Sequence, residues 1–257
     1  MPRNAVVPAR TAVLPILVIV AGLALVIPRL NRTSDLDEIR AEEDSVECGD
    51  LPGECATPSP EGLRTERTLR AADVCPRSGY LCVELAERDT FRIRRWTDGV
   101  SGLVVHVPAP DFEDAAPSRE LHRAAVRGVK AWDGQPFAIT VDERGRLDAD
   151  VTVTWQRQLP GTRLGVTELQ WSPTQGLRVQ ALRVATRSPH DAQRILDPLQ
   201  IQLTTAHEMG HALGLLHSDS ERDVMYPTNT ATSLSAQDYR TMEALYSLEN
   251  GLLVVRN

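Results

Sequence analysis

Between residues 90 and 250 the apolar positions form short alternating runs first and longer runs at helical spacing afterwards. Phe91 to Trp96 (FRIRRW) and Gly102 to Pro108 (GLVVHVP) read as strands, the second with clear alternation. Pro117 to Trp132 puts Leu121, Ala124, Ala125, Val129 and Trp132 on one face of an amphipathic helix, which Asp133-Gly134 ends. Phe137 to Val141, Val151 to Trp155 and Gly176 to Thr186 are β-branched or alternating, and predict three more strands. A second helix opens at Asp197, where Pro198 suits the first turn and Gln200 completes a D-x-x-Q capping box. Ser235 to Leu248 is a closing helix, with Tyr239, Met242, Leu245 and Tyr246 on one side. Strands early and helices late predict an α+β domain over residues 89–250, with 251–257 as a short tail.

Ahead of this domain the pattern is different. Ala12 to Ile27 is free of charge, preceded by Arg3 and Arg10 and followed by Arg29 and Arg32. A basic start and an apolar stretch make an export signal rather than part of the fold. The run is shorter than the roughly 20 residues of a full membrane span. Residues 1–33 therefore read as a cleaved signal peptide or a signal anchor, the latter touching the membrane through 12–27. In either case the chain is expected to be exported, anchored on the outer side or released to the cell envelope. Position and flanks argue against a buried core helix.

Asp35 to Asp50 sets eight acids against the single Arg40, and prolines and glycines follow. Such a segment buries little apolar surface, so 34–88 is expected to be a linker or prosegment. It holds all four cysteines as two C-x6-C pairs, Cys48 with Cys55 and Cys75 with Cys82 in sequence order. An even count in an exported chain predicts disulfides, with three connectivities open. The second pair could staple a small element within residues 63–88. A zinc ribbon would need C-x2-C spacing.

Charge narrows the function classes. With 28 Lys+Arg against 35 Asp+Glu the net charge is −7, and the scattered arginines build no basic face, which excludes a nucleic-acid partner. Aromatics are 4% of the chain, so the core must come from Val, Leu, Ile and Ala.

Residues 207–217, HEMGHALGLLH, carry the chemistry. His207 and His211 are four apart on a helix, so both imidazoles project from one face and can share one zinc ion. Gly214 can end the helix and turn the chain so that His217 arrives as a third ligand. Three protein ligands leave a fourth position for water, the pattern of a catalytic zinc. Glu208 lies about 100° round the helix from His207 and suits a general base acting on that water. Chance would produce this spacing on the order of 10⁻⁵ times in such a chain. A structural metal site is the main alternative, and it has no use for a non-ligating acid at Glu208.

H-E-x-x-H-x-x-G-x-x-H followed by a methionine turn resembles the metzincin clan of zinc endopeptidases. Ser218 after the third histidine and Met225-Tyr226-Pro227 look like the matrixin family in particular. Leu164 to Thr167, Ala206 and Leu234-Ser235-x-x-Asp238 agree with it, over residues 90 to 248 in all. The resemblance implies a twisted mixed sheet packed on an active-site helix and a C-terminal helix. It implies His207, His211 and His217 as ligands of one catalytic Zn2+, Glu208 as the catalytic acid/base, and Met225 as an apolar floor. Leu203, Pro227, Thr228 and Asn229 would line the pocket for the residue after the scissile bond. Many members carry an aromatic where Asn229 stands, so no pocket preference transfers. Tyr226 takes no catalytic role.

Two departures stand out. The family's P-R-C-G-x-P-D latency segment is matched neither by Cys48-Gly49-Asp50 nor by Cys75-Pro76-Arg77. His106, His122 and His190 are too widely spaced to suggest the family's second zinc. Calcium stays open, since oxygen ligands leave no firm sequence trace, and so does the oligomeric state. The expectation is an exported zinc metalloendopeptidase acting on a peptide or protein, by a zinc-bound water that Glu208 activates. Its rivals are an envelope-anchored binding or scaffolding module with a vestigial zinc site, and a metallohydrolase of non-peptide amides or esters.

Overall fold

A computed structural model describes residues 67–112 and 115–256. The Ala12–Ile27 run, Cys48, Cys55 and the acidic segment lie outside them. In chain order the elements are strand β1 (Thr68–Arg70), helix α1 (Ala71–Val74), β2 (Thr90–Arg92), β3 (Gly102–His106), α2 (Ala115–Lys130), β4 (Ala138–Asp142), β5 (Val151–Gln156), β6 (Gly165–Ser172), β7 (Gly176–Ala185), the short β8 (Arg187–Ser188) and β9 (Asp191–Ile195), α3 (Pro198–Ala212), α4 (Ala236–Ser247) and β10 (Leu253–Val255). No helix among the described residues is long and apolar enough to cross a membrane.

Four of the predicted strands, β3, β4, β5 and β7, join β6, which the periodicity did not predict, in a five-stranded sheet in the order β4-β3-β5-β7-β6, while the Phe91 run supplies β2 of a separate three-stranded sheet. Neighbours run parallel except β6, which returns antiparallel along β7 and forms one edge. Alternation decides which side is covered: Leu103, Val105, Val151, Val153, Leu182 and Val184 are buried, while Thr152 and Thr154 between them are exposed. Each such Val or Leu contributes roughly 1.5–3 kcal/mol on burial, which suits a core poor in aromatics. The anticipated face of α2, Leu121 through Trp132, is buried throughout. The fold is thus the mixed sheet with helices that the resemblance implies.

Helix α3 packs on α2, β6 and β7. It approaches α2 closely at Gly128, where an added Cβ would meet the Gln202 carbonyl oxygen at 2.5 Å and Thr205 Cβ at 2.8 Å. Gly128→Ala should force the helices apart and cost about 1–3 kcal/mol, despite the better helix propensity of Ala. Urea unfolding of the variant checks this; unchanged stability would mean that the contact relaxes freely.

The linker expectation fails from Thr68 onward. Strand β10 lies between β1, which it pairs in parallel, and β2, which it meets antiparallel. Val254 at its centre is fully buried, so this segment is structural and not a loose tail. Tyr80, Leu81 and Leu85 are buried as well, and a disulfide joins Cys75 to Cys82. Composition averaged over 34–88 hid these apolar residues behind the acids and prolines that precede them. One residue of the closing helix also departs from expectation. Tyr239 is 40% exposed, and the polar Asp238 and Thr241 are buried in α4 alongside Met242 and Leu245.

Candidate active site

The capping box at the start of α3 forms as the sequence predicts. Leu199 N–H donates to the Asp197 carboxylate at 2.7 Å, and Asp197 N–H donates to Gln200 Oε1 at 3.2 Å. The other end closes through Gly214, at φ +97°, where a side chain would be strained and a Cβ would meet the Arg94 carbonyl oxygen at 2.5 Å. Gly214 N–H donates to the His211 carbonyl at 2.8 Å and Leu215 N–H to that of Gly210 at 3.0 Å, the two bonds of a Schellman ending. Indole and phenol donors satisfy the next carbonyls: Trp96 Nε1 reaches Ala212 O and Tyr246 Oη reaches Leu213 O, both at 2.8 Å. The histidine helix is therefore pinned at both ends before any metal is considered.

The reversal at Gly214 brings His217 back to the helix. Nε2 of His211 lies 3.1 Å from Nε2 of His207 and 3.2 Å from Nε2 of His217. Carbonyl acceptors set two of the tautomers: His207 Nδ1–H donates to Val224 O at 2.7 Å and His211 Nδ1–H to Leu215 O at 2.8 Å. Their Nε2 atoms are then lone pairs facing one another, an arrangement that repels unless a cation sits between them. Burial pushes the His207 imidazole down to about 4, and burial with the neighbouring histidines depresses His211 as well, so both are neutral and ready to ligate at neutral pH. Tetrahedral zinc with Zn–N near 2.0–2.1 Å holds its nitrogens about 3.3 Å apart, so these residues fit that ion.

Glu208 is buried beside them. Its Oε2 accepts from Thr167 Oγ1 at 2.7 Å, and the same hydroxyl lies 3.0 Å from the Glu208 carbonyl oxygen. Burial pushes the carboxyl up to about 7, against the lowering effect of the Thr167 bond. The room for it comes from Gly165 on edge strand β6, where a Cβ would lie 2.4 Å from Glu208 Oε1. Sequence reading tied 164–167 to the family resemblance alone and missed both contacts, because nothing local links β6 to a residue 41 positions later.

Around the triad a second layer of polar groups is closed on itself. Ser218 N–H donates to Met225 O at 2.8 Å, which shuts the 218–225 loop. Asp223 accepts from the hydroxyls of Ser218 and Ser235. Asp238 accepts from Val224 N–H at 3.0 Å, Ser235 N–H at 2.8 Å and Tyr80 Oη at 2.9 Å. Met225 is fully buried, with its sulfur against Gly210 between the two helical histidines. Leu203 is buried in α3. Pro227, Thr228 and Asn229 are exposed, and Asn229 Nδ2 donates to Thr204 Oγ1 at 2.7 Å, which ties this loop to the helix next to Leu203. The remaining histidines are dispersed: His106 Nδ1 and His122 Nε2 approach the carbonyls of Asp142 and Val107, and His190 sits in the β8–β9 turn. His207, His211 and His217 are the group that could hold a metal ion among the described residues.

Residues 134–247, from the end of α2 to the end of α4, match the profile of the matrixin family. Over these residues the chain is similar to the matrixins. A 50-residue stretch is also 34% identical to a protein of Trichoplusia ni ascovirus 2c named "Putative matrix metalloproteinase", covering 20% of this chain and 10% of that protein. The chain thus spans about a tenth of that relative's length. The matrixin-like match holds all three histidines, Glu208, Met225 and Asp238. It starts beyond Tyr80 and β1 and ends before β10, the strand that β1 pairs with.

Proposed function

We propose that the chain is an exported zinc metalloendopeptidase. The observation that carries this reading is the convergence of three imidazole Nε2 atoms next to a buried, non-ligating carboxylate. His207, His211 and His217 would hold the ion. Zinc, when bound there, supplies Lewis acidity toward a carbonyl and toward water. Glu208 takes a proton from the attacking water and returns one to the leaving amine, and Thr167 keeps its carboxylate turned to the site. A raised carboxyl, near neutral, suits both halves of that exchange. Edge strand β6 offers unpaired backbone groups along which an extended peptide can lie. Leu203 and the Pro227-Thr228-Asn229 loop would border the residue after the cut. Export is supported by the basic, then apolar, N-terminal run.

The test is zinc content of the purified full chain together with cleavage of an unbiased peptide library. One zinc per chain is expected, with cuts that stop on chelation and return on adding zinc. Cleavage that survives complete chelation, or a zinc-loaded chain that makes no cuts, would overturn the proposal. The second result would favour a binding module.

A further inference from the structure

Tyr80 sits inside the ring closed by the Cys75–Cys82 disulfide and is buried against α4. Its hydroxyl donates to Asp238 Oδ1 at 2.9 Å, and its backbone N–H donates to Thr241 Oγ1 at 3.1 Å. Asp238 is fully buried, and its other carboxylate oxygen accepts from Val224 N–H at 3.0 Å and Ser235 N–H at 2.8 Å. The Val224 carbonyl in turn accepts from His207 Nδ1 at 2.7 Å. A continuous line of buried hydrogen bonds therefore runs from residue 80 through 238 and 224 to the first histidine.

The chemistry along this line is directional. Hydrogen-bond donors hold the Asp238 carboxylate, and the phenol is the donor on Oδ1. Burial, reinforced by Asp238, keeps the phenol protonated far above its usual range, so it donates at every accessible pH. Without that donor the carboxylate has one buried oxygen unsatisfied and a reason to rotate, drawing Val224 N–H with it. Across its Cα, in the next peptide group, Val224 carries the carbonyl that fixes the ring orientation and tautomer of His207. We propose that Tyr80 is a positioning residue for the metal site, orienting His207 through Asp238 and the Val224 carbonyl, with the Cys75–Cys82 ring holding the phenol in place. This rests on the zinc reading above.

The test compares the full wild-type chain with Tyr80→Phe, which keeps the ring and removes only the hydroxyl. Zinc affinity is measured by competition with a chromophoric chelator, and the cobalt(II)-loaded protein gives a d–d absorption spectrum. Both are recorded at a temperature where far-UV circular dichroism shows each protein folded. The variant is expected to bind zinc about tenfold more weakly, the lower end of what outer-shell partners cost, and to shift the cobalt spectrum. A variant that melts at lower temperature yet binds zinc within twofold of wild type overturns the proposal, because Tyr80 then only packs. If Tyr80→Phe does not fold, the Cys75→Ser, Cys82→Ser pair substitutes for it. That pair loosens the ring and leaves the hydroxyl and Asp238 intact. Weaker zinc binding supports the proposal, and unchanged binding overturns it. A wild-type chain that takes up no zinc overturns the metallopeptidase reading itself, whereas equal affinities for all three proteins defeat this inference alone.

Discussion

Glu208→Gln is expected to bind one zinc per chain and to lose peptide cleavage by at least about a hundredfold, and by up to about ten-thousandfold. Gln keeps the shape of the side chain that fills the space over Gly165, and none of the three imidazoles is touched. What disappears is the group that accepts and returns the proton. The same substitution has a second consequence, of opposite sign, in the metal-free protein. Burial raises the Glu208 carboxyl from 4.5 to about 7, so the folded chain keeps a proton that the unfolded chain releases. Stability is then lost as pH rises from about 4.5 through 7, and on the order of 3 kcal/mol is missing above that window. Gln carries no such penalty. Denaturant unfolding in chelator should find the variant more stable than wild type at pH 8 and similar at pH 4. Full activity in the variant would end the proposed role of Glu208. A variant less stable at pH 8 would show that the buried carboxylate is better solvated than its surroundings imply.

Deleting residues 1–88 is expected to do more damage than any single substitution. A matrixin-like domain begun at residue 89 would look complete by motif, since every histidine and Glu208 remain. It would lack β1 and the buried Tyr80, Leu81 and Leu85. Each of those side chains contributes roughly 1.5–3 kcal/mol on burial. Their sum is comparable with the whole stability of an ordinary domain, about 5–15 kcal/mol. Loss of the phenol also leaves Asp238 Oδ1 without its donor in the interior, at about 1–3 kcal/mol. The shortened chain should therefore be largely unfolded or molten, with broad thermal transitions and weak zinc uptake. A cooperative transition at the wild-type temperature would instead make residues 67–88 an accessory layer. The comparison also bears on latency, because poor activity in the shortened chain would come from lost structure and not from a surviving inhibitor.

The chemistry was legible because it is local. Asp197, Pro198 and Gln200 announce the start of α3, spacing puts His207 and His211 on one face, and Gly214 marks the reversal that brings His217 back. The alternating strands and the buried face of α2 were legible for the same reason, since periodicity reports one surface of one element. The layer behind the histidines was not. Ser235 and Asp238 carry the signature of a helix cap, and they form one. Nothing in their spacing says that the same Asp238 also holds Val224 and a tyrosine 158 positions away. The β8–β9 hairpin escaped because Arg187 to Ile195 is polar and short, with no alternation to read. Strands β1 and β10 escaped for a different reason: three-residue strands are below the length at which a period is visible, and their pairing partners lie at opposite ends of the domain.

The placement of β10 between β1 and β2 sets an order of assembly. Strands near residues 70 and 90 do not pair with each other; each pairs with residues 253–255. During synthesis the N-terminal strands must wait, with their apolar faces uncovered, until almost the whole domain has left the ribosome. A ribosome that stalled near residue 245 would already have made the entire zinc motif, yet the sheet that seats residues 67–92 would have no central strand. Completion of this sheet thus depends on residues 253–255, made after the whole zinc motif, and a product cut short before them would meet quality control as an open sheet.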